Sequence, residues 1–379
     1  MGATSKRRCS IGVLPHGRFN AITDVHGVRV GQCTVIADEP IVARTGVTVI
    51  QPLEVGYWEQ NVFAGFHRYN GFGEVTGVQW LEESGVLTSP VCLTSTFSLG
   101  IVRDALYRDF MQRGAKGRFQ IGVVAETNDF FLSDAPNWPI KAEHLTSAID
   151  SCVSGPVEEG NVGAGTGTMA YLFKGGIGTA SKLAETPSGK FTVGVLVQSN
   201  HGQRQDLVVD GVPVGRYIDH DVIPLPHLTQ PDPYLEMPKH IAERLKAYQE
   251  EGSIVIVVAT DAPLLPVQCK RLAQRAAVGL GRTGGLGNNG SGDFIICFST
   301  ANVLPPVPAV SVEGLTMLPN HHMTPLFQAT VEATESAILN SMLAAESMVG
   351  RNGNKVFSLT AEALEDVMTR FGRSVPWES

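Results

Sequence analysis

The sequence predicts a mixed α/β protein, and three observations carry that prediction. Near-continuous apolar runs of strand length, Phe191 to Val197, Ile254 to Ala259 and Phe294 to Thr300, have the character of strands buried on both faces. Between them lie segments with apolar residues at helical spacing: Ser98 to Met111, Ala142 to Cys152, Leu264 to Leu280 and Leu326 to Ser347. Finally, 43% of the 379 residues are hydrophobic and the mean hydropathy is +0.05, as expected of a compact soluble chain that buries a large core.

Charge and composition exclude several classes of function. With 37 acidic against 29 basic residues the net charge is -8, and no basic cluster is longer than Lys6-Arg7-Arg8, which argues against nucleic acid as a partner. The basic start, Met1 to Ser10, is not followed by an apolar stretch of signal-peptide length. No window approaches the roughly 18 apolar residues of a membrane span. Neither a signal peptide nor a membrane partner is expected, and the location that follows is cytoplasmic. The six cysteines, Cys9, Cys33, Cys92, Cys152, Cys269 and Cys297, are scattered and mostly set in apolar runs, as reduced core thiols are. His321-His322 is the sole adjacent histidine pair, and neighbours in sequence seldom bind one metal, so neither metal nor cofactor is expected.

Taken in order, Phe19 to Ile36 alternates apolar and polar residues around Gly27 and Gly31 and reads as a hairpin or strand pair. Val47 to Ile50 is a strand. Phe63 to Gly77 then reads as a glycine-spaced loop around Asn70-Gly71-Phe72-Gly73-Glu74, whose glycines admit close approach of a ligand or a neighbouring strand. Pro90 to Thr96 is a short strand, and Ser98 is the expected N-cap of the helix after it. Phe119 to Val124 is a strand that delivers Glu126 at its C-terminal end, where ligand amines are commonly caught.

Gly155 to Gly178 is the glycine-richest segment. Gly163-Ala164-Gly165-Thr166-Gly167 invites a dinucleotide-loop reading, but that fingerprint needs a strand before it and a helix after it, and Met169 to Phe173 is strand-like. A glycine loop shaping a substrate cleft fits better. The strand Phe191 to Val197 ends in Gln198-Ser199-Asn200, which places an amide side chain where it can meet a developing oxyanion. Asp210-Gly211 is a hairpin turn; the proline-rich stretch Pro224 to Pro238 and the helix Lys239 to Glu250 form a linker that ends at Gly252-Ser253. A second glycine cluster, Gly281 to Gly292, precedes the strand Phe294 to Thr300. Thr324-Pro325 opens the last long helix as N-cap and first position, Gly350 closes it, and Asn352-Gly353 turns the chain into a final short helix.

The junction Gly252-Ser253 at the lip of the strand Ile254 to Ala259 admits two readings: an ordinary turn, or a bond that breaks itself so that Ser253 heads a new chain. In the second case the serine carries its own base, since a free α-amine has a pKa of about 8 and takes up the hydroxyl proton near neutral pH. Gly252 on the acyl side would admit a strained backbone there.

The runs FNAITDVHGVRVG, RTGVTVI, GPVEEGNVGAGTG, FTVGVLVQSN, GSIVIVVATDAPLL, NGSGDFIICFSTAN and VEATESAILN resemble, in order, the self-processing aminopeptidases that include D-aminopeptidase/D-esterase and the β-peptidyl aminopeptidases. The resemblance implies a four-layer αββα sandwich, like N-terminal-nucleophile hydrolases in architecture but with different strand connections. It further implies one domain cut into residues 1–252 and 253–379, and a ring-like homo-oligomer of the cut pairs. Carried over, it makes Gly252-Ser253 the cleaved pair and Ser253 the nucleophile. Ser291, 38 residues on, and Asp293 become its partners, Asn200 the oxyanion donor and Glu126 the holder of the substrate's free amine. Asp293 departs from the pattern, which has Glu there. The substrate implied is a short peptide, amide or ester with a free amino terminus. Two alternatives stand beside this: an acyltransferase like the ornithine acetyltransferases, against which Ser253 in place of Thr argues, and an uncut, non-catalytic small-molecule-binding protein.

Overall fold

The computed structural model describes residues 7–54, 56–113, 120–227, 251–306 and 311–378. In chain order its strands are β1 (Arg29–Ala37), β2 (Ala43–Gln51), β3 (Asn61–Gly71), β4 (Val86–Leu87), β5 (Val91–Ser95), β6 (Val123–Thr127), β7 (Met169–Ala170), β8 (Phe173–Lys174), β9 (Gly176–Thr186), β10 (Gly189–Asn200), β11 (Glu251–Thr260), β12 (Gly290–Leu304), β13 (Met348–Val349) and β14 (Lys355–Val356). The helices are α1 (Val78–Ser84), α2 (Leu99–Arg113), α3 (Ala142–Asp150), α4 (Pro266–Arg282), α5 (Thr324–Leu343) and α6 (Ala361–Arg370).

A four-stranded sheet of order β1-β2-β5-β6 lies against a six-stranded sheet of order β4-β3-β12-β11-β10-β9. Three apolar layers join four structural ones. Val47, Val49 and Cys92 of the smaller sheet pack against Val102, Leu106, Leu145 and Ile149 of α2 and α3. Ile50, Leu93, Val123 and Ala125 meet Ala64, Leu196, Val257 and Ile296 between the two sheets. Ile256, Ile295 and Cys297 meet Leu272, Ala276, Ala333 and Ala337 of α4 and α5. The αββα sandwich is therefore the observed architecture. Its physical origin is the strand period of two: along β11, Ile254, Ile256 and Val258 face the helices while Val255, Val257 and Ala259 face the other sheet, so every position is apolar.

Several sequence expectations are corrected. Phe19 to Ile36 is not a hairpin; it holds a 3₁₀ turn, Ile22–Asp24, and the single strand β1, whose partner across the turn is β2, Arg29 facing Gln51. Most of the expected loop from Phe63 onward is strand β3, paired with β12 from Asn61 to Gly71, and its charged positions His67 and Arg68 hid the alternation. Strand β12 starts at Gly290 rather than Phe294, so Ser291 and Asp293 belong to the strand and not to the glycine loop. The chain enters α2 through a 3₁₀ turn, Thr96–Ser98, and the Ser98 hydroxyl lies against that of Ser95. At α5 the N-cap is Met323, with no side-chain cap, and the helix ends at Leu343. The linker helix Lys239 to Glu250, most of the proline-rich stretch and Phe119 lie outside the described residues.

Candidate active site

The N-terminal end of β11 is paired on both sides. Ser253 stands opposite Asn200 of antiparallel β10 and opposite Gly292 of parallel β12, while Gly252 pairs with Ser291 and Ile254 with Asp293. Four of the six expected site residues, with Gly252 a fifth, thus fall in one short row across three central strands. The pairing removes one of the two readings of this junction: Gly252-Ser253 is not an ordinary turn but lies inside the strand, with Ser253 buried. Gly252 is also not in a left-handed conformation, so backbone freedom does not explain it. A side chain there would come within 3.0 Å of His201 Cα and 3.2 Å of the Asn200 carbonyl, so the glycine answers a close approach of β10.

Ser291 donates to Asp293 Oδ1 at 2.6 Å, the two side chains sharing a face because they are two residues apart on a strand. Asp293 Oδ2 is buried and makes no hydrogen bond among the described residues. Burial pushes the Asp293 pKa up to about 6, against the lowering effects of the Ser291 hydroxyl and the Ile254 amide. Ser253 Oγ accepts from the Gly292 N–H at 3.4 Å, and no hydrogen bond joins it to Ser291 among the described residues. The serine pair is therefore linked through the Gly292 backbone rather than side chain to side chain.

Asn200 is fixed from behind. The Met169 N–H, at 2.8 Å, can only donate, so the side-chain atom it meets is Oδ1, and the amide N–H₂ is the other end. By alternation Asn200 and Ser253 share the face of the large sheet that looks toward the smaller one, as Leu196 and Val255 do.

Glu126 reaches the same region from the smaller sheet. Its Oε1 accepts from the Glu74 N–H at 2.9 Å and Oε2 from the Thr96 hydroxyl, and burial raises its pKa while these two donors lower it. Gly73 ties it to the row: a side chain on Gly73 would come within 3.0 Å of Glu126 Oε1 and 3.4 Å of Gly292 Cα. The two glycine clusters part company here. Gly163 to Gly167 is buried, with Gly165 and Gly167 set close against the backbone of Gly176, Ile177 and Arg44. Gly284 to Gly287 lines a narrow cleft that is also bounded by His201, Asp206, Gly252, Ser291 and Asp293.

His201, the nearest histidine, is unsuited to act as a base. Complete burial drives its pKa down to about 3, and its ring nitrogens meet Ser199 Oγ and the Tyr171 hydroxyl. Gly73 belongs to the stretch whose glycines the sequence marks for close approach, and here it approaches Glu126 and the neighbouring strand. Sequence reasoning passed over Thr96 and the Met169 N–H: the first carries no signal beyond an ordinary loop residue, and a backbone donor is invisible in sequence. It also passed over Lys174, whose place in the apolar run Tyr171-Leu172-Phe173 was a visible anomaly.

Residues 20–356 match the sequence model of Peptidase family S58. The chain belongs to that family. It is 41% identical over 366 residues to the beta-peptidyl aminopeptidase BapA of Sphingosinicella microcystinivorans, covering 94% of this chain and 89% of that one. Among solved structures, a beta-aminopeptidase of Burkholderia sp. superposes with a TM-score of 0.84 at 41% identity, covering 98% of both chains. The L-aminopeptidase D-Ala-esterase/amidase of Ochrobactrum anthropi, described as a variant of the Ntn hydrolase fold, gives 0.84 at 38% identity over 96% of this chain and 97% of that one. Membership of family S58 makes the chain a peptidase, and these relatives support aminopeptidase activity. No helix among the described residues is long and apolar enough to cross a membrane.

Proposed function

We propose that the chain cuts itself between Gly252 and Ser253 and that the freed Ser253 is the N-terminal nucleophile of an aminopeptidase acting on short peptides, amides or esters. The observation that supports this best is the row itself: Ser253, Asn200 and the Ser291–Asp293 pair meet at one end of three paired strands. In the cut, Ser253 Oγ attacks the Gly252 carbonyl, the C–N bond breaks as the nitrogen gains a proton, and water hydrolyses the resulting ester. What remains is an α-amine beside Asp293, whose unpartnered Oδ2 supplies an acceptor for it. With His201 neutral, that amine is the base. It takes the Oγ proton as Oγ attacks the substrate carbonyl, then passes the proton to the leaving amine; water repeats the sequence on the acyl-enzyme. The Asn200 N–H₂ stabilises the oxyanion.

Glu126 would bind the substrate's ammonium group, making the enzyme an exopeptidase. Both Sphingosinicella relatives, 41% and 38% identical, carry the name beta-peptidyl aminopeptidase, so β-amino acids at the amino terminus are the first substrates to try. The two fragments would stay together as one sandwich, because β10 of the first pairs with β11 of the second from Val193–Thr260 to Asn200–Ser253. A ring-like homo-oligomer of cut pairs in the cytoplasm belongs to the same proposal, and six unpaired cysteines suit that reducing compartment.

Aminoacyl p-nitroanilides of L-alanine, D-alanine and β-homoalanine, each free and N-acetylated, test this. Turnover of at least one free substrate with none of its acetylated form is expected. Equal rates on both would remove the amine-binding role of Glu126.

A further inference from the structure

Lys174, at the end of β8, is completely buried and plays no part in the chemistry above. A buried lysine is tolerated only where its N–H groups find acceptors. Its Nζ donates to the carbonyls of Thr168 at 2.8 Å, Gly175 at 2.7 Å and Gly165 at 3.2 Å. Three carbonyls match the three donors of an ammonium group. Burial pulls its pKa down to about 7, and the carboxylate of Asp129 opposes that shift.

The Thr168 carbonyl and the Met169 N–H belong to a single peptide unit, which is planar and conjugated. Its oxygen meets the Lys174 ammonium, and its N–H meets Asn200 Oδ1 at 2.8 Å. Charge at the oxygen draws electron density from the N–H and strengthens its hold on Oδ1. The same polarisation, carried through the Asn200 amide, makes its N–H₂ a better donor. We propose that Lys174 is a positioning residue of the oxyanion site, holding and polarising Asn200 through the Thr168–Met169 peptide. This rests on the reading of Asn200 as the oxyanion donor. Asp129 is buried as well, burial pushing its pKa up to about 7, and it is the carboxylate whose charge acts on Lys174.

Loss of an oxyanion donor outright costs about 10²–10³ in kcat, and a group acting one hydrogen bond behind it forfeits part of that, about tenfold. Lys174→Met keeps the length of the side chain and removes its donors. Because it strips Asp129 of its counter-charge, Lys174→Met/Asp129→Asn is made beside it, so that at least one variant without the ammonium folds. The expected result is a kcat about tenfold lower with KM unchanged, and no further fall when the change is added to Asn200→Ala. A second readout needs no turnover: with ¹⁵N-asparagine labelling, the Asn200 side-chain N–H₂ resonances should move upfield in the variants. An equal fall in kcat with and without Asn200, a change in KM alone, or unmoved Asn200 resonances would overturn the proposal. Absence of turnover in the wild type would sink the aminopeptidase reading alone and leave the resonance shift to decide on Lys174.

Discussion

The layer between the two sheets has two ends built on opposite principles. Over Val255 to Ala259 it is dry and apolar, Val257, Ile296 and Phe298 meeting Leu93 and Ala125. A few residues along the same strands, the layer instead buries Gln198, Glu126, Asp129, Asn200 and Ser253. Several of these groups are tied down individually, whereas neither carboxylate oxygen of Asp129 has a hydrogen-bond partner among the described residues. Gln198 Nε2 alone holds the Thr94 carbonyl at 3.0 Å, the Thr127 hydroxyl at 2.8 Å and the Ala164 carbonyl at 3.0 Å, bridging the sheets. Folding gains nothing from such an end that apolar residues would not supply more cheaply, since polar groups need partners merely to break even. Such a polar end points to chemistry, and the apolar end holds the same strands in register.

That contrast sets the order of expected effects. Asp293→Asn keeps the volume but drops the charge and one acceptor, so kcat should fall by about 10²-fold or more while the thermal midpoint stays close to wild type. Unchanged kcat would mean another acid does this work. Acidification should act on the same group. The ionised Asp293 accepts from Ser291, its pKa is pushed up to about 6, and protonation below that removes the acceptor. Activity should therefore fall as pH drops through about 6, and in Asp293→Asn this limb should be missing. Glu126→Gln should act mainly on kcat/KM for substrates with a free amine, by about tenfold or more, because an amide still accepts one hydrogen bond but no longer offers charge. At the dry end, Ile296→Val removes one methylene from the inter-sheet packing and should cost about 1 kcal/mol of stability with kcat unchanged. A large loss of kcat there would show that the two ends are not separable.

The same contrast explains what could be read from sequence. The dry layers were legible because β-branched runs such as Ile254 to Ala259 have one physical use, and the helical spacing of Leu272, Ala276 and Leu280 matches α4. Ser253, Ser291, Asp293 and Asn200 were legible as residue types at strand ends and through family resemblance. Their pairing was not, because register is a property of strands far apart in the chain: Asn200 and Ser253 face each other across 53 residues, many outside the described part. The start of β12 was misplaced for a local reason, since Gly290 and Gly292 look like loop residues. Gly292 is small because the Phe72 carbonyl would lie 2.5 Å from any Cβ there. Lys174 stood out beside the apolar Tyr171-Leu172-Phe173, but what holds it was not legible, because its partners are backbone carbonyls.

The central claim is that Ser253 becomes a chain terminus. Intact-mass spectrometry and N-terminal sequencing of the purified protein test it directly. The account predicts two pieces, residues 1–252 and 253–379, the smaller beginning Ser-Ile-Val-Ile-Val. It also predicts a single uncut and inactive chain for Ser253→Ala, which has no oxygen to attack Gly252. A wild-type chain that stays whole at 40.5 kDa yet hydrolyses aminoacyl substrates, or an active Ser253→Ala, would contradict it.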